Sequence, residues 1–407
     1  MSRANLRAME STEFLVVGCG PAGGTAAREA ARSGVATVVL ERDSVVGAKR
    51  VCAAGLRPGF CGTFDLPRSI VHLDPPRLTL STIRKTYGFT LGPAHTTTRE
   101  ELDGTVAALA REEGADVRTG SLFRALERDR DGVVVEYADT RAGVRKKIRA
   151  KSVFLAQGST ARLDDVDPAF RYSAWRDGLI TCIQYRVYPE RPAADAAYDT
   201  LEMHYYRSPL SGETIIAWMF PKRDHLSIGL GMGPKIGGTA LRAELDWFLP
   251  RVQARLFPGI GYSVREEGNL LYGGNPRPGI AADRVMVGGT AAGLVDATTG
   301  EGIYEAAMSG RFAAAAVGAA RSNACDPAPA YERATKRAFY ARLRHRAKLM
   351  SFLERKPARF DVLFRQLEGA PRFADLLQHD RNDFTPLQWL YLYAQAARFG
   401  LRAAFVA

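Results

Sequence analysis

Phe14-Leu15-Val16-Val17-Gly18-Cys19-Gly20-Pro21-Ala22-Gly23-Gly24 decides the fold of this 407-residue chain. Four apolar residues read as a buried strand, a glycine-rich turn follows, and the Ala-rich run from Thr25 to Ala31 reads as a helix. In that order the helix points unpaired backbone N–H groups at whatever lies over the turn, which suits a pyrophosphate. Gly18 permits the turn, Gly20 lets backbone approach the phosphate, and Gly23 lets helix and strand pack closely. A second apolar run, Val35 to Leu40, ends at Glu41, 23 residues after Gly18, where a carboxylate can accept bonds from a ribose. Arg42 beside it suits a cofactor phosphate as well as it suits solvent. A glycine turn alone fits any βαβ unit. Strand, turn, helix, second strand and terminal Glu together predict a dinucleotide site.

The chain is too long for one small core, so two or three domains are expected. No run of 18 apolar residues marks a transmembrane helix. The apolar run at Phe14 belongs to the nucleotide strand, so no signal peptide is read and residues 1–12 are expected to form a loose tail. This places the protein in the cytoplasm or on the cytoplasmic face of a membrane. Cys19, Cys52, Cys61, Cys182 and Cys325 form no CxxC pair, which argues against a disulfide framework and a thiolate metal site, with one long-range disulfide left open. The six histidines show no metal-binding spacing, and no metal is expected. The net charge of +12 is uneven: Arg333 to Arg359 holds ten Lys or Arg against one Glu. Apolar and aromatic residues among these cations suit an anionic membrane surface, or equally a basic face packed on the rest of the protein. No motif supports nucleic-acid binding.

Outward from the turn, residues 43–62 read as an irregular loop and 76–91 as short alternating strands. Thr98-Arg99-Glu100-Glu101-Leu102 opens a helix running to about Glu113, capped by Thr98 or Thr97. Strands follow near 115–119, 122–127, 132–138 and 152–156. Aromatic-rich alternation over 180–188, 201–206, 214–220 and 225–232 predicts an antiparallel sheet. A helix fits 238–256, a strand and loop fit 262–280, and a buried strand from Arg284 reaches Gly288-Gly289-Thr290-Ala291-Ala292-Gly293. Gly300-Glu301-Gly302-Ile303 then leads into a long Ala-rich helix. From Pro329 the chain reads helical, broken at Pro357, with a last segment from Leu387 to Phe405.

Four separated stretches carry a resemblance: the dinucleotide turn; Lys49-Arg50-Val51-Cys52-Ala53-Ala54-Gly55-Leu56; Ala217-Trp218-Met219-Phe220-Pro221-Lys222-Arg223-Asp224-His225-Leu226-Ser227-Ile228-Gly229; and Ala291-Ala292-Gly293 with Gly300-Glu301-Gly302-Ile303-Tyr304-Glu305-Ala306-Ala307. Over roughly residues 13–320 the chain resembles the geranylgeranyl reductase family of FAD-dependent flavoproteins. Met203-His204-Tyr205-Tyr206 and the ending around Asp383, Pro386-Leu387-Gln388-Trp389 and Tyr391-Leu392-Tyr393 look most like the bacteriochlorophyll and chlorophyll branch. The resemblance implies an α/β plus α+β fold, with a Rossmann-like FAD-binding domain, an inserted antiparallel-sheet substrate domain of the aromatic hydroxylase type, and a helical C-terminal region. The expected division is FAD-binding 1–75, 99–168 and 281–328; strands 76–98 added to the substrate region; substrate sheet 169–280; and a basic helical region 329–407.

The resemblance further implies reduction of isolated double bonds in a geranylgeranyl or other polyprenyl chain. A hydride would come from reduced FAD, a proton from protein or water, and electrons from NADPH or a reduced ferredoxin-like donor. On that reading Gly18, Gly20, Pro21, Ala22, Gly23, Glu41, Arg42, Cys52, Ala53, Arg99, Gly289, Thr290, Gly293, Gly300, Gly302 and Ile303 attend the cofactor. An arginine opening a helix, as Arg99 does, opposes the helix dipole unless an anion is near. Thr290 departs from the family pattern, which has Asp there, and brings no charge. Cys52 is the catalytic candidate, a thiol proton relay whose thiolate Lys49 or Arg50 would favour, against plain packing on the flavin. Gly55, Tyr206, Trp218 and Phe220 are the substrate-side candidates; Trp218 and Phe220 share a strand face because the strand period is two. Lys222 and Arg223 face solvent or a prenyl diphosphate, and His225 is structural or at the surface. A FAD-dependent monooxygenase or halogenase on the same fold is the alternative reading, and Thr290 also leaves open a cofactor-binding protein without turnover.

Overall fold

The computed structural model describes residues 9–48, 52–90, 94–233, 237–323, 325–378 and 384–404. Lys49, Arg50, Asp383 and Phe405 therefore lie outside the described residues.

Strand β1 (Glu10–Val17) is followed by helix α1 (Pro21–Arg32) and strand β2 (Thr37–Leu40), the right order for a nucleotide-binding unit. β1 lies at the centre of a mainly parallel sheet, flanked by β2 on one side and by the strand Val144–Leu155 on the other. Asp116–Arg118 extends the sheet beyond β2, and Val285–Val287 extends it beyond Val144–Leu155. A hairpin, Ser121–Arg128 and Val133–Asp139, pairs antiparallel onto Val144–Leu155. The parallel strands are buried on both faces, which is why Val16, Val39, Phe154 and Val287 sit in uninterrupted apolar runs. The expected loose tail is corrected at its end: Glu10 to Thr12 pair with Ile148 to Ala150 and belong to β1.

The Ala-rich helix Ile303–Asn323 packs against α1. The approach is so close that a Cβ on Gly310 would stand 2.2 Å from the Ala22 carbonyl oxygen. Thr98 caps the helix Arg99–Glu112 by accepting from the Glu101 N–H.

A second sheet has the order Tyr262–Tyr272, Leu179–Pro189, Leu226–Met232, Thr214–Pro221, Thr200–Arg207, Arg77–Ser81 and Thr86–Thr90. All neighbours are antiparallel except Thr200–Arg207 with Arg77–Ser81. Alternation gives it two apolar faces. Ile215, Ala217 and Met219 pack with the helix Gly238–Leu256, whereas Met203, Tyr205 and Tyr87 pack with Phe360, Leu363 and Phe364 of the C-terminal helices. Those helices run Ala328–Thr335, continue through 336–340 into Ala341–Glu354, and resume as Ala358–Glu368, Pro371–Gln378 and Pro386–Ala404. The chain is thus a Rossmann-like α/β domain joined to an antiparallel sheet, with a distinct helical C-terminal region.

Candidate functional site

A cleft of ≈ 1120 Å³ opens where β1, β2 and Val144–Leu155 end in turns, the place at which parallel sheets bind ligands. Gly18, Gly20, Pro21, Ala22, Glu41, Arg42, Cys52, Arg99, Gly289, Thr290, Gly300, Gly302 and Ile303 all line it. Residues nearly three hundred positions apart in sequence therefore share one wall. Three expected cofactor residues stand behind the wall. Gly23 is the packing glycine: a Cβ there would lie 1.8 Å from the Gly18 carbonyl oxygen. Gly293 turns with φ +76° against Pro276 and Tyr272, and Ala53 directs its carbonyl to Lys222.

The cleft suits the pyrophosphate and ribose of FAD. α1 starts with no side-chain cap and no acidic residue in its first turn, so its N-terminal N–H groups are left for an anion. Glu41 is held by the N–H groups of Cys19 and Asp43 at 2.7 and 2.9 Å, and burial pushes its carboxyl up. Such a desolvated carboxylate gains from hydroxyl donors. Gln157 Oε1, in the same cleft, is buried without a partner. Arg42 is 63% exposed and pairs with Asp43 at the rim.

Arg99 solves its dipole problem within its own helix. Its Nη2 lies 2.5 Å from Asp103 Oδ2, one turn on; burial opposes the charge, and Asp103 with Cys52 more than offsets it. The anion the sequence called for is Asp103. The guanidinium still faces the turn, 3.3 Å from where a Cβ of Gly20 would be, and Cys52 adds to Asp103 in favouring its charge.

Cys52 stands half-buried in the cleft wall, its Sγ accepting from the Ala54 N–H at 3.3 Å. The next two residues of its loop, Ala53 and Ala54, receive Lys222. The expectation that Lys222 faces solvent or a prenyl diphosphate is corrected: the residue is 1% exposed, and Nζ donates to the carbonyls of Ala53 at 2.5 Å and Ala54 at 3.4 Å. Burial pushes Lys222 down to about 7, the Cys52 thiol opposing the shift and Arg186 adding to it. Pro221 ends the strand and turns Lys222 inward, while Arg223 stays at the surface and reaches the Ser69 and Val71 carbonyls. His225 is buried, bonded to Asp224 and Ser227, and pushed down to about 4 chiefly by burial.

Gly55 meets Phe220 face on: a Cβ on Gly55 would lie 2.6 Å from the ring. Trp218 lies on the same strand face and donates from Nε1 to Gln184, which donates to Glu267; Arg186 then bridges Glu267 and Glu100. Gly55, Trp218 and Phe220 gather behind the Cys52 loop rather than on the cleft wall. Tyr206 is corrected. Period-two alternation turns it to the opposite face, where it is buried against Trp247 and Phe248, while Tyr205 takes the face shared with Trp218.

The glycine turn at 300–302 is anchored by an ionic cluster that local sequence does not reveal. Arg57 pairs with Glu301 and Glu305, Arg342 with Glu305, and Arg346 with Asp296 at 3.1 Å. Burial opposes ionisation of Asp296, yet Arg346 and Arg342 hold its carboxyl below the usual range. Of the two readings of residues 333–359, this fits a basic face packed on the rest of the protein: Arg342 and Arg346 point inward, and Arg359 donates to the Phe352 and Ala403 carbonyls. Sequence reasoning also missed Asp103, the hairpin wall from Ser121 to Leu126, Gln157, and the sheet edge Glu266–Asn269. Gln157 had a signal, since it follows a buried strand and precedes a glycine. Among the described residues no group of His, Cys, Asp or Glu is arranged to hold a metal.

Comparison with known proteins supports FAD as the cofactor. Residues 13–156 match the FAD dependent oxidoreductase family. The chain is 30% identical over 332 residues to the chloroplastic geranylgeranyl diphosphate reductase of Oryza sativa subsp. japonica, covering 76% of this chain and 66% of that one, so it spans just under two thirds of that relative's length. The crystal structure of a geranylgeranyl bacteriochlorophyll reductase-like protein from Thermoplasma acidophilum superposes with a TM-score of 0.69 at 23% identity, over 95% of this chain and 96% of that one. A flavin-dependent brominase superposes with a TM-score of 0.68 at 17% identity, over 90% and 92%, so the fold is common to both. The chain thus carries a FAD-dependent oxidoreductase domain and is similar to the geranylgeranyl reductases over about three quarters of its length.

Proposed function

We propose that this enzyme saturates isolated double bonds of a geranylgeranyl or other polyprenyl chain, with Cys52 delivering the proton. The observation that carries this reading is the setting of Cys52, open to the cleft and flanked by the buried cations Arg99 and Lys222. FAD, reduced by NADPH or a ferredoxin-like donor, supplies the hydride. The protein must then hold an alkene that accepts hydride poorly, keep water away, and present a proton to the second carbon. Cys52 meets the last need. Phe220 and Trp218, half-buried behind its loop, offer apolar surface to a chain. The naming of the rice relative as a geranylgeranyl diphosphate reductase supports a prenyl substrate. The test is anaerobic single turnover of chemically reduced protein with geranylgeranyl diphosphate, a geranylgeranylated chlorophyll precursor, an unsaturated ether lipid and a prenylquinone. A mass gain of two hydrogens per double bond supports the reading. The first two substrates are expected to react best.

The halogenase and monooxygenase reading keeps one support, the equal likeness of fold to a brominase. It requires oxygen. Product that forms only with oxygen, and on an aromatic compound, would replace the reductase reading.

A place at an anionic membrane surface is proposed for the last helix rather than for residues 333–359. Leu387, Leu390, Tyr393 and Leu401 are 65–74% exposed along one face of Pro386–Ala404. That helix has no acidic residue, carries Arg398 and Arg402, and belongs to a chain of net charge +12. Flotation with phosphatidylglycerol vesicles tests it; a protein that stays in the aqueous fraction at low salt overturns it.

A further inference from the structure

Lys222 is an unusual group to bury. The residue is 1% exposed, it comes from the substrate sheet, and it crosses to the Cys52 loop 169 positions earlier in the chain. Among the described residues no carboxylate pairs with it; its named acceptors are the neutral carbonyls of Ala53 and Ala54. Nearby Glu267 and Glu100 are engaged by Arg186. An ammonium with only carbonyl partners is poorly compensated. The ionisable group from the loop side that favours its charge is Cys52 in its thiolate form. The other facing groups are cationic or neutral. Arg186 repels it from its own sheet, and His72 and His225 are held neutral, mainly by burial. Arg99, which also neighbours Cys52, is paired with Asp103.

We propose that Lys222 is the proton reservoir for Cys52, returning a proton to the sulfur after each turnover. This rests on the reductase reading above and adds a second residue to it. The balance is simple. The alkene accepts a hydride on one carbon. The Cys52 S–H bond breaks, its proton forms the second C–H bond, and its electron pair stays on sulfur. A Lys222 N–H bond then breaks, the proton joins sulfur, and the neutral amine takes a proton from water. The alkene gains two electrons, the flavin loses two, and neither side chain changes oxidation state. A reservoir works best when it ionises near the working pH, and burial brings Lys222 to about 7.

The test reads the thiol directly. The holoenzyme, in a Cys325→Ser background because Cys325 is exposed, is alkylated with iodoacetamide from pH 5.5 to 9 and Cys52 modification is followed by peptide mass. Ionisation of Lys222 should appear as an inflection near pH 7 in the Cys52 rate. Lys222→Met should abolish it, because no charge remains, and Lys222→Arg should abolish it, because the charge no longer titrates. Lys222→Met should still complete a first alkene reduction, while repeated turnover falls about tenfold or more and is partly restored by methylamine. A lysine that keeps its charge throughout this range, and so serves only as a tether, would give no inflection in the unchanged enzyme; that result, or an inflection kept in Lys222→Arg, overturns the proposal. If no prenyl substrate is reduced at all, the reductase reading fails, and the alkylation profile still decides whether Lys222 and Cys52 are coupled. Flavin content of each variant confirms folding.

Discussion

Arg342 and Glu305 form an ion pair sealed from water, with Nη2 2.5 Å from Oε1 and side chains 4% and 0% exposed. The pair joins the basic helix Ala341–Glu354 to the helix that begins at the glycine turn of the cleft, so the C-terminal region props the site. Replacing Arg342 with methionine leaves Glu305 to Arg57 alone. We expect a loss of about 3 kcal/mol, seen as a lower thermal midpoint, with flavin released before global unfolding. Unchanged stability and flavin retention would mean that Arg57 compensates fully.

The two helix-start glycines should fail differently. A Cβ on Gly20 would be 3.3 Å from the end of the Arg99 side chain, whereas one on Gly23 would be 1.8 Å from the Gly18 backbone. Gly20→Val should therefore give folded, colourless protein, because the pyrophosphate approach is blocked. Gly23→Ala should give little folded protein. Absorbance at the flavin band and circular dichroism separate the outcomes.

Cys52→Ala should keep flavin reduction and lose alkene saturation by about 10²-fold or more, the usual contribution of a positioned acid. Stopped-flow oxidation of the reduced flavin by substrate measures this. An unchanged rate would leave Cys52 as a packing residue.

Lys222 should also mark the pH dependence of stability. Its pKa falls from 10.5 to about 7 on folding, chiefly through burial, so between those values the unfolded chain binds more protons. The wild type should gain stability relative to Lys222→Met as pH rises from 7 to 10. Parallel pH profiles for the two proteins would show that the ammonium is solvated in solution.

For the last helix, Leu387→Glu with Leu390→Glu should lower binding to anionic vesicles about tenfold or more and leave the flavin spectrum unchanged, since both side chains are exposed. Equal flotation of the double variant and the wild type would exclude this face.

The sequence by itself determined what short-range physics writes. The turn from Gly18 to Gly23, the strand into Glu41, the alternation over 214–220 and the alanines after Ile303 each settle a local conformation, because backbone sterics and apolar periodicity act within a few residues. The face of Trp218 and Phe220 was legible for the same reason, and the opposite face of Tyr206 followed only once the pairing with Ile215 was known. Tertiary structure alone decided the partners. Lys222 reaches Ala53 across 169 residues, Arg57 reaches Glu305 across 248, and the basic run at 333–359 turns Arg342 and Arg346 inward. A charge in a sequence looks the same whether it meets water or a buried carboxylate. Its partner is chosen by how the sheets and helices pack, and that choice turns Lys222 from a surface lysine into the neighbour of Cys52.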